Sequence, residues 1–495
     1  MNYISTRNNS VKVQSAFAIS HGISEEGGLY VPESIPKLSK QDFDILAKSD
    51  YTQRAVLVLE KYLTDFTDDE IASCVKGAYI GSFDNDKPAP IAQLGSNINI
   101  LELWHGPTCA FKDLALQLLP YLFTTSTKKI SDGKKTVILV ATSGDTGKAA
   151  LEGFKDVENT EIIVFYPSDG VSPMQKLQMG SQKGSNVHVC AIKGNFDDAQ
   201  SGVKKIFTDA KIKEILAQHK MEFSSANSIN WGRLVPQIVY YVSAYCDMLS
   251  KGDDLTDGFN VVVPTGNFGN ILAAYYAKEM GVPINKLICA SNANNVLTDF
   301  VNTGIYNRNR HFYTTISPSM DILISSNLER MLYILSNGND GYVAEIQSNL
   351  VENGKFEVSG DVLSKLQNTF FAACCDDNDT LETIKNTFNK YGYLCDTHTA
   401  VAVNVYEQYL QKTGDNRPVL IASTASPYKF AKNVISALTD NVPENEFDAV
   451  NALSQLTATE IPAPIAELKN ATVRFKDVYE KKDMYTAVCN CLKIN

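Results

Sequence analysis

A lysine at a turn-to-helix junction is the residue in this chain best placed to act as a nucleophile. In Leu103-Trp104-His105-Gly106-Pro107-Thr108-Cys109-Ala110-Phe111-Lys112-Asp113, the Gly106-Pro107 pair breaks the chain. The apolar run Leu114, Ala115, Leu118, Leu119, Leu122 then predicts a buried helix that Lys112 opens. Burial disfavours an ammonium, lowers its pKa and leaves a neutral amine. Such an amine condenses with a carbonyl cofactor as a Schiff base. One lysine alone carries little weight, because most lysines are solvated surface charges.

Three later loops supply partners for it. Thr136–Ala141 runs into Thr142-Ser143-Gly144-Asp145-Thr146-Gly147 and a helical Lys148-Ala149-Ala150-Leu151, which reads as strand, loop and helix. Phe259–Pro264 leads through Thr265-Gly266-Asn267-Phe268-Gly269-Asn270 into a helix predicted from Ile271 to about Met280. Val419–Ala422 leads into Ser423-Thr424-Ala425-Ser426-Pro427-Tyr428-Lys429-Phe430. Ligands sit at the carboxyl ends of parallel strands, so these loops can meet in one crevice. The 265–270 loop suits a phosphate monoester, because Gly266 and Gly269 permit close backbone approach and a helix amino terminus follows. Gly144-Asp145-Thr146-Gly147-Lys148 is no Walker motif, since the glycine spacing is wrong and Ala149 stands where Ser or Thr would hold magnesium. No G-x-G-x-x-G follows any of these strands, which argues against a dinucleotide.

The elements around these loops alternate strand and helix from about residue 98 onward, with further strands at Ile162–Tyr166 and Val187–Ile192 and a helix at Asp197–Ala210. That alternation predicts an α/β fold with mostly parallel sheets and helices on both faces. Residues 1–97 read as a small separate layer with helices near Ala55–Tyr62 and Asp68–Ala78, the second opened by the capping box Thr67-x-x-Glu70. His21, Glu25 and Glu26 read as turn and surface residues there. Residues 285–395 yield only helices and an excursion near Asn302–Thr314, with no chemistry assigned. The 495 residues, 44% of them apolar, can build sizeable cores. A net charge of −11 argues against nucleic acid or an anionic membrane as partner. The ten cysteines show no zinc spacing, so no metal site is expected and reduced cytoplasmic thiols are. The sequence offers neither a signal core nor an apolar run of about eighteen residues.

His105-Gly-Pro-Thr-x-Ala-Phe-Lys-Asp113, Thr142-Ser-Gly-Asp-Thr-Gly147, Gly266-Asn-Phe-Gly-Asn270 and Thr424-Ala-x-Pro-x-Lys-Phe430 together resemble the threonine synthase family. So do Tyr3-Ile-Ser-Thr-Arg7, Gly27-Gly-Leu-Tyr-Val-Pro32 and Asn227-Ser-Ile-Asn-Trp-Gly-Arg233, in the same order along nearly the whole chain. The resemblance implies a fold type II, tryptophan-synthase-β-like enzyme dependent on pyridoxal 5'-phosphate. Residues 1–97 would be the amino-terminal domain, and 98–495 the cofactor-binding region of two α/β subdomains, the smaller at roughly 130–240. By the same resemblance, Lys112 holds the cofactor beside Phe111, and Gly266, Asn267, Phe268, Gly269 and Asn270 bind its phosphate. Thr424 meets the pyridine nitrogen with a neutral hydroxyl, and Asp145 lies near the phenolic oxygen. An ionised aspartate there would repel a phenolate, so Asp145 is expected to be protonated or turned toward a backbone amide or a cation. Thr142, Ser143 and Thr146 would hold the substrate carboxylate, and Asn227, Ser228 and Arg233 its phosphate.

The implied reaction is conversion of O-phospho-L-homoserine and water to L-threonine and phosphate, with Lys112 as the base. A cytoplasmic monomer or homodimer is expected, without nucleic acid or membrane. A dehydratase or other β-replacement enzyme on the same scaffold is the nearest rival, and a ligand-binding protein without catalysis the second. The His105-Gly-Pro-Thr opening and the 227–233 segment count against the first, and the intact Lys112 against the second. Two positions depart from the family's usual pattern: Ser426 stands where it often has His, and Gly232 where it often has Ala.

Overall fold

Two β-sheets carry the three loops. The computed structural model describes residues 1–85, 87–130, 133–142, 144–168 and 171–494. Ser143 lies outside the described residues. The larger sheet has the order Phe370–Cys374, Ile284–Ser291, Phe259–Pro264, Val419–Ser423, Ile98–Glu102, Ile91–Leu94. Its strands are parallel except for the edge strand Ile91–Leu94, which runs antiparallel to Ile98–Glu102. Every residue of Phe259–Pro264 and Val419–Ser423 is buried, as their near-continuous apolar runs require when helices cover both faces. Two of its strands, Ile284–Ser291 and Phe370–Cys374, lie in the segment that sequence periodicity left unparsed.

The smaller sheet is wholly parallel, in the order Val478–Glu480, Val187–Lys193, Thr160–Pro167, Lys135–Ala141, Met221–Ser224. Its edge strand Val478–Glu480 arrives from the far end of the chain. That strand is three residues long and exposed at both ends, so no hydrophobic run marks it in the sequence.

Residues Tyr3–Ser5, Asn8–Val13 and Tyr30–Pro32 form a three-stranded antiparallel sheet. Helices Tyr51–Tyr62 and Asp68–Tyr79 follow, and Thr67 with Glu70 makes the expected capping box. This layer packs on the helix Trp231–Lys251. The Tyr3 and Tyr62 rings lie 5.3 and 5.6 Å from Trp231, contacts worth about 0.5–1.5 kcal/mol each. Buried Arg54 reaches Asp247 at 2.8 Å on the same helix. Among the described residues, no helix is long and apolar enough to cross a membrane.

Candidate active site

Lys112 opens the helix Lys112–Leu116, and a second helix, Leu119–Ile130, continues the apolar run that the sequence reads as one. A short buried network pins the turn before it. Asp113 accepts hydrogen bonds from the Thr108 N–H at 2.8 Å and hydroxyl at 2.6 Å. Burial raises the Asp113 pKa to about 6 despite them. A methyl group on Gly106 would fall 2.5 Å from the Asp113 Cβ, so the turn closes only with glycine there. The Lys112 side chain is 12% exposed, and its Nζ lies 4.7 Å from the centre of the Phe111 ring.

Burial pushes the Lys112 pKa down; Asp145 pushes it back up, and Lys429 and Arg233 lower it again. Asp145 Oδ2 is 3.7 Å from Lys112 Nζ and accepts from the Ser319 hydroxyl at 3.1 Å. Its Oδ1 meets Lys429 Nζ at 2.7 Å and accepts from Gln175 Nε2 at 2.9 Å. Burial alone would raise the Asp145 pKa, but the two ammonium groups hold it well below the usual carboxylate range. Of the orientations open to Asp145, it takes the one toward a cation, which favours its ionised form. Lys429 is fully buried on the short turn Pro427–Phe430 and also donates to the Thr108 carbonyl at 2.9 Å. Ser426 caps that turn, its hydroxyl accepting from the Tyr428 N–H at 3.3 Å. The serine therefore has a local structural role in placing Lys429.

The Gly266–Asn270 loop lies against the turn Pro318–Met320, where a methyl on Gly266 would sit 2.8 Å from the Ser319 carbonyl oxygen. Phe268 is left-handed at φ 63°, and the helix Gly269–Met280 starts directly after it. Asn270 Oδ1 accepts from the Tyr240 hydroxyl at 2.9 Å, while its buried Nδ2 has no partner among the described residues. His398 Nε2 accepts from the Ser319 N–H at 3.1 Å, which places its ring proton on Nδ1, 2.6 Å from Asp396. Ser319, Gln175, Lys429 and His398 had no assigned role in the sequence. Only Lys429 had a local signal, its place in the Thr424–Phe430 motif. The 285–395 segment does contribute to the site, through Ser319.

Thr424 is buried, and its carbonyl accepts from the Phe111 N–H at 2.9 Å. The third loop thus lies beside Phe111 and Lys112. Thr142 has its hydroxyl oxygen occupied by the Gly144 and Gly147 N–H groups, both at 2.9 Å, so it shapes the loop around Asp145. Thr146 is half-buried in the first turn of the helix Asp145–Phe154. Asn227 and Ser228 are half-buried in the approach to the helix Trp231–Lys251. Arg233 is buried one turn into that helix, its Nη1 donating to the Ala226 carbonyl at 2.6 Å and its Nε without a partner. Burial pushes its pKa down to about 10, and among the described residues no carboxylate pairs with it. An alanine at 232 would press its methyl to 2.7 Å from Leu119 Cδ1, so the glycine suits this chain's own Leu119.

Family models match along the chain in order: threonine synthase N terminus at residues 2–79, pyridoxal-phosphate dependent enzyme at 87–424, and threonine synthase C-terminal at 399–488. The threonine synthase of Saccharomyces cerevisiae is 37% identical over 88% of this chain and 89% of its own length. The chain belongs to the threonine synthase family of pyridoxal-phosphate-dependent enzymes. Human threonine synthase-like 1 is 42% identical over 86% of this chain, which spans only 58% of that relative's length. A solved structure of pyridoxal-phosphate-bound threonine synthase from Brucella melitensis superposes with a TM-score of 0.88 at 35% identity, covering 99% of each chain. The fold is therefore fold type II, and pyridoxal phosphate is the family's cofactor.

The residues present fit that group. The buried Lys112 amine is linked through Asp145 and Ser319 to a glycine loop at a helix amino terminus, which suits a phosphate monoester. Unpartnered Asn270 Nδ2 supplies a further donor close to that loop. Asp145 also sets a pH signature. In Asp145→Asn the amine loses the anion that raises its pKa, so the neutral form extends to lower pH. The acid limb of kcat, which reports the amine once substrate has released it, is expected to move to lower pH, and a saturating-substrate pH profile checks it.

Proposed function

We propose that this chain converts O-phospho-L-homoserine and water to L-threonine and phosphate, and that Arg233 carries the choice of a phosphorylated substrate. Among the described residues its buried guanidinium lacks a carboxylate partner, and its Nε makes no hydrogen bond. A forked, permanently charged group of this kind pairs with a phosphate dianion. Asn227 and Ser228, a turn before it, add polar contacts to the same phosphate. Thr142, Ser143 and Thr146 hold the α-carboxylate at the amino end of the helix that Asp145 opens.

Gly266, Asn267, Phe268, Gly269 and Asn270 bind the cofactor phosphate, Thr424 meets the ring nitrogen, and Phe111 packs beside Lys112. Bound there, pyridoxal phosphate supplies the electron sink that acidifies the substrate Cα–H and Cβ–H. Lys112 Nζ would take the Cα proton and return it to the cofactor-bound substrate, then, neutral again, take a Cβ proton and deliver it to Cγ after phosphate has left. Asp145, locked by Lys429, keeps a fixed negative charge beside Nζ and tunes its proton affinity. Water adds at Cβ to complete L-threonine. The proposed enzyme is cytoplasmic, a monomer or homodimer, and the −11 charge weighs against nucleic acid or an anionic membrane as partner.

Phosphate and threonine measured together from O-phospho-L-homoserine test this reading. Equal release is expected. Phosphate accompanied by a keto acid in place of threonine would make the chain an eliminating enzyme instead. Arg233→Lys, which keeps the charge but loses the fork, is expected to lower kcat/KM about a hundredfold. Initial rates equal to the parent's would take the phosphate away from Arg233.

A further inference from the structure

A second reactive constellation lies on the smaller sheet, away from Lys112. Along the strand Val187–Lys193, Val187, Val189 and Ala191 enter one core, and His188, Cys190 and Ile192 alternate onto the opposite face. Ile163 pairs with His188 in register on the next strand, which puts Glu161 on that same face. Glu161 Oε2 lies 3.0 Å from His188 Nε2, and Lys135 Nζ anchors the other carboxylate oxygen at 2.6 Å. The carboxyl-terminal helix Met484–Leu492 folds over this face through Met484, Ala487, Val488 and Leu492. Cys491 on that helix brings its Sγ to 3.8 Å from the Cys190 Sγ, and His188, two residues before Cys190 on the same face, adjoins Cys491 closely enough to pull its thiol pKa down. Cys190 is buried, whereas Cys491 is partly open to solvent.

We propose that Cys491 is a hydroperoxide-reactive thiol, activated by the His188–Glu161 pair, which Cys190 resolves into a disulfide. An imidazole held by a carboxylate is the arrangement that draws a proton from a neighbouring thiol. The Cys491 thiolate attacks one peroxide oxygen, and the O–O bond breaks. Sulfur is oxidised by two electrons to the sulfenic acid, and the other oxygen leaves as hydroxide. The Cys190 sulfur then attacks Cys491 Sγ. The S–S bond forms as the S–O bond breaks, and the Cys190 proton leaves with the hydroxyl as water. The product ties the strand Val187–Lys193 to the helix that covers it.

Selectivity is built into the surroundings. The Cys190 hydrogen bond and His188 pull the Cys491 thiol below its ordinary value against the cost of burial. The other nine cysteines have thiols pushed up. Cys489 is an internal control, because it is partly open on the same helix yet, among the described residues, no imidazole lowers its thiol pKa.

The test uses the cofactor-loaded full chain, treated with a small excess of hydrogen peroxide, quenched by alkylation and mapped by mass spectrometry. A Cys190–Cys491 cross-linked peptide is expected, with Cys489 still alkylated as a free thiol. In Cys190→Ser, dimedone is expected to trap the sulfenic acid at Cys491. The unmodified protein needs no variant for the companion measurement: at neutral pH, iodoacetamide should label Cys491 about tenfold faster than Cys489. Oxidation of Cys489 as fast as Cys491, equal alkylation of the two, or no dimedone adduct at Cys491 in a folded Cys190→Ser protein would each overturn the proposal.

Discussion

Lys112→Ala is expected to lower kcat by about 10⁴-fold or more while leaving the fold in place. A positioned proton-transfer group contributes about 10²–10⁴-fold, and here one amine serves several transfers in sequence. Losses from groups that act as a unit are not additive, so no second residue in the crevice should rescue the rate. The fold should survive, because Asp145 keeps its shorter contact with Lys429 at 2.7 Å when the 3.7 Å contact with Lys112 is removed. Steady-state rates together with a thermal melt check both halves. A protein that melts like the parent but turns over at more than a tenth of its rate would place the base elsewhere.

Lys429→Met should do the reverse and strike stability first. It leaves a buried carboxylate with only the more distant ammonium, and breaking such a pair from one side costs about 3–5 kcal/mol. Adding Asp145→Asn to Lys429→Met removes the stranded charge, so the double variant should recover much of that loss in a double-mutant cycle. The pH dependence has a definite sign. The Asp145 pKa is depressed in the folded protein, so its contribution is fully present above the ordinary carboxylate pKa of about 3.9 and is lost as pH falls further. Without Lys429 the folded-state pKa rises, and the acid-induced loss of stability should flatten. Denaturant unfolding at neutral pH and below about pH 4 measures both effects. A single variant as stable as the parent would mean that Lys112 alone satisfies Asp145.

The parts legible in the sequence were those with a local signature. Lys112 after Gly106-Pro107, and the glycine loop between a buried strand and a helix, each announce themselves within a dozen residues. The partners of Asp145 do not. Ser319 stands in a three-residue turn without periodicity, and Gln175 and Lys429 reach the carboxylate only because the chain brings remote segments together. A contiguous motif such as residues 105–113 can be read, but a hydrogen bond across 174 residues cannot. The edge strand Val478–Glu480 was hidden for a related reason: an exposed strand of three residues has no hydrophobic alternation to detect.

That edge strand bears on synthesis as well as structure. Val187–Lys193 emerges from the ribosome with one side unpaired, and its neighbour Val478–Glu480 is translated only after more than half of the chain has followed. At about 5–20 residues per second, the nascent sheet waits on the order of tens of seconds with an open ladder of N–H and C=O groups. Exposed edges template pairing with other chains. The nascent polypeptide therefore passes through an interval in which a holdase or crowded neighbours compete with its own distant strand.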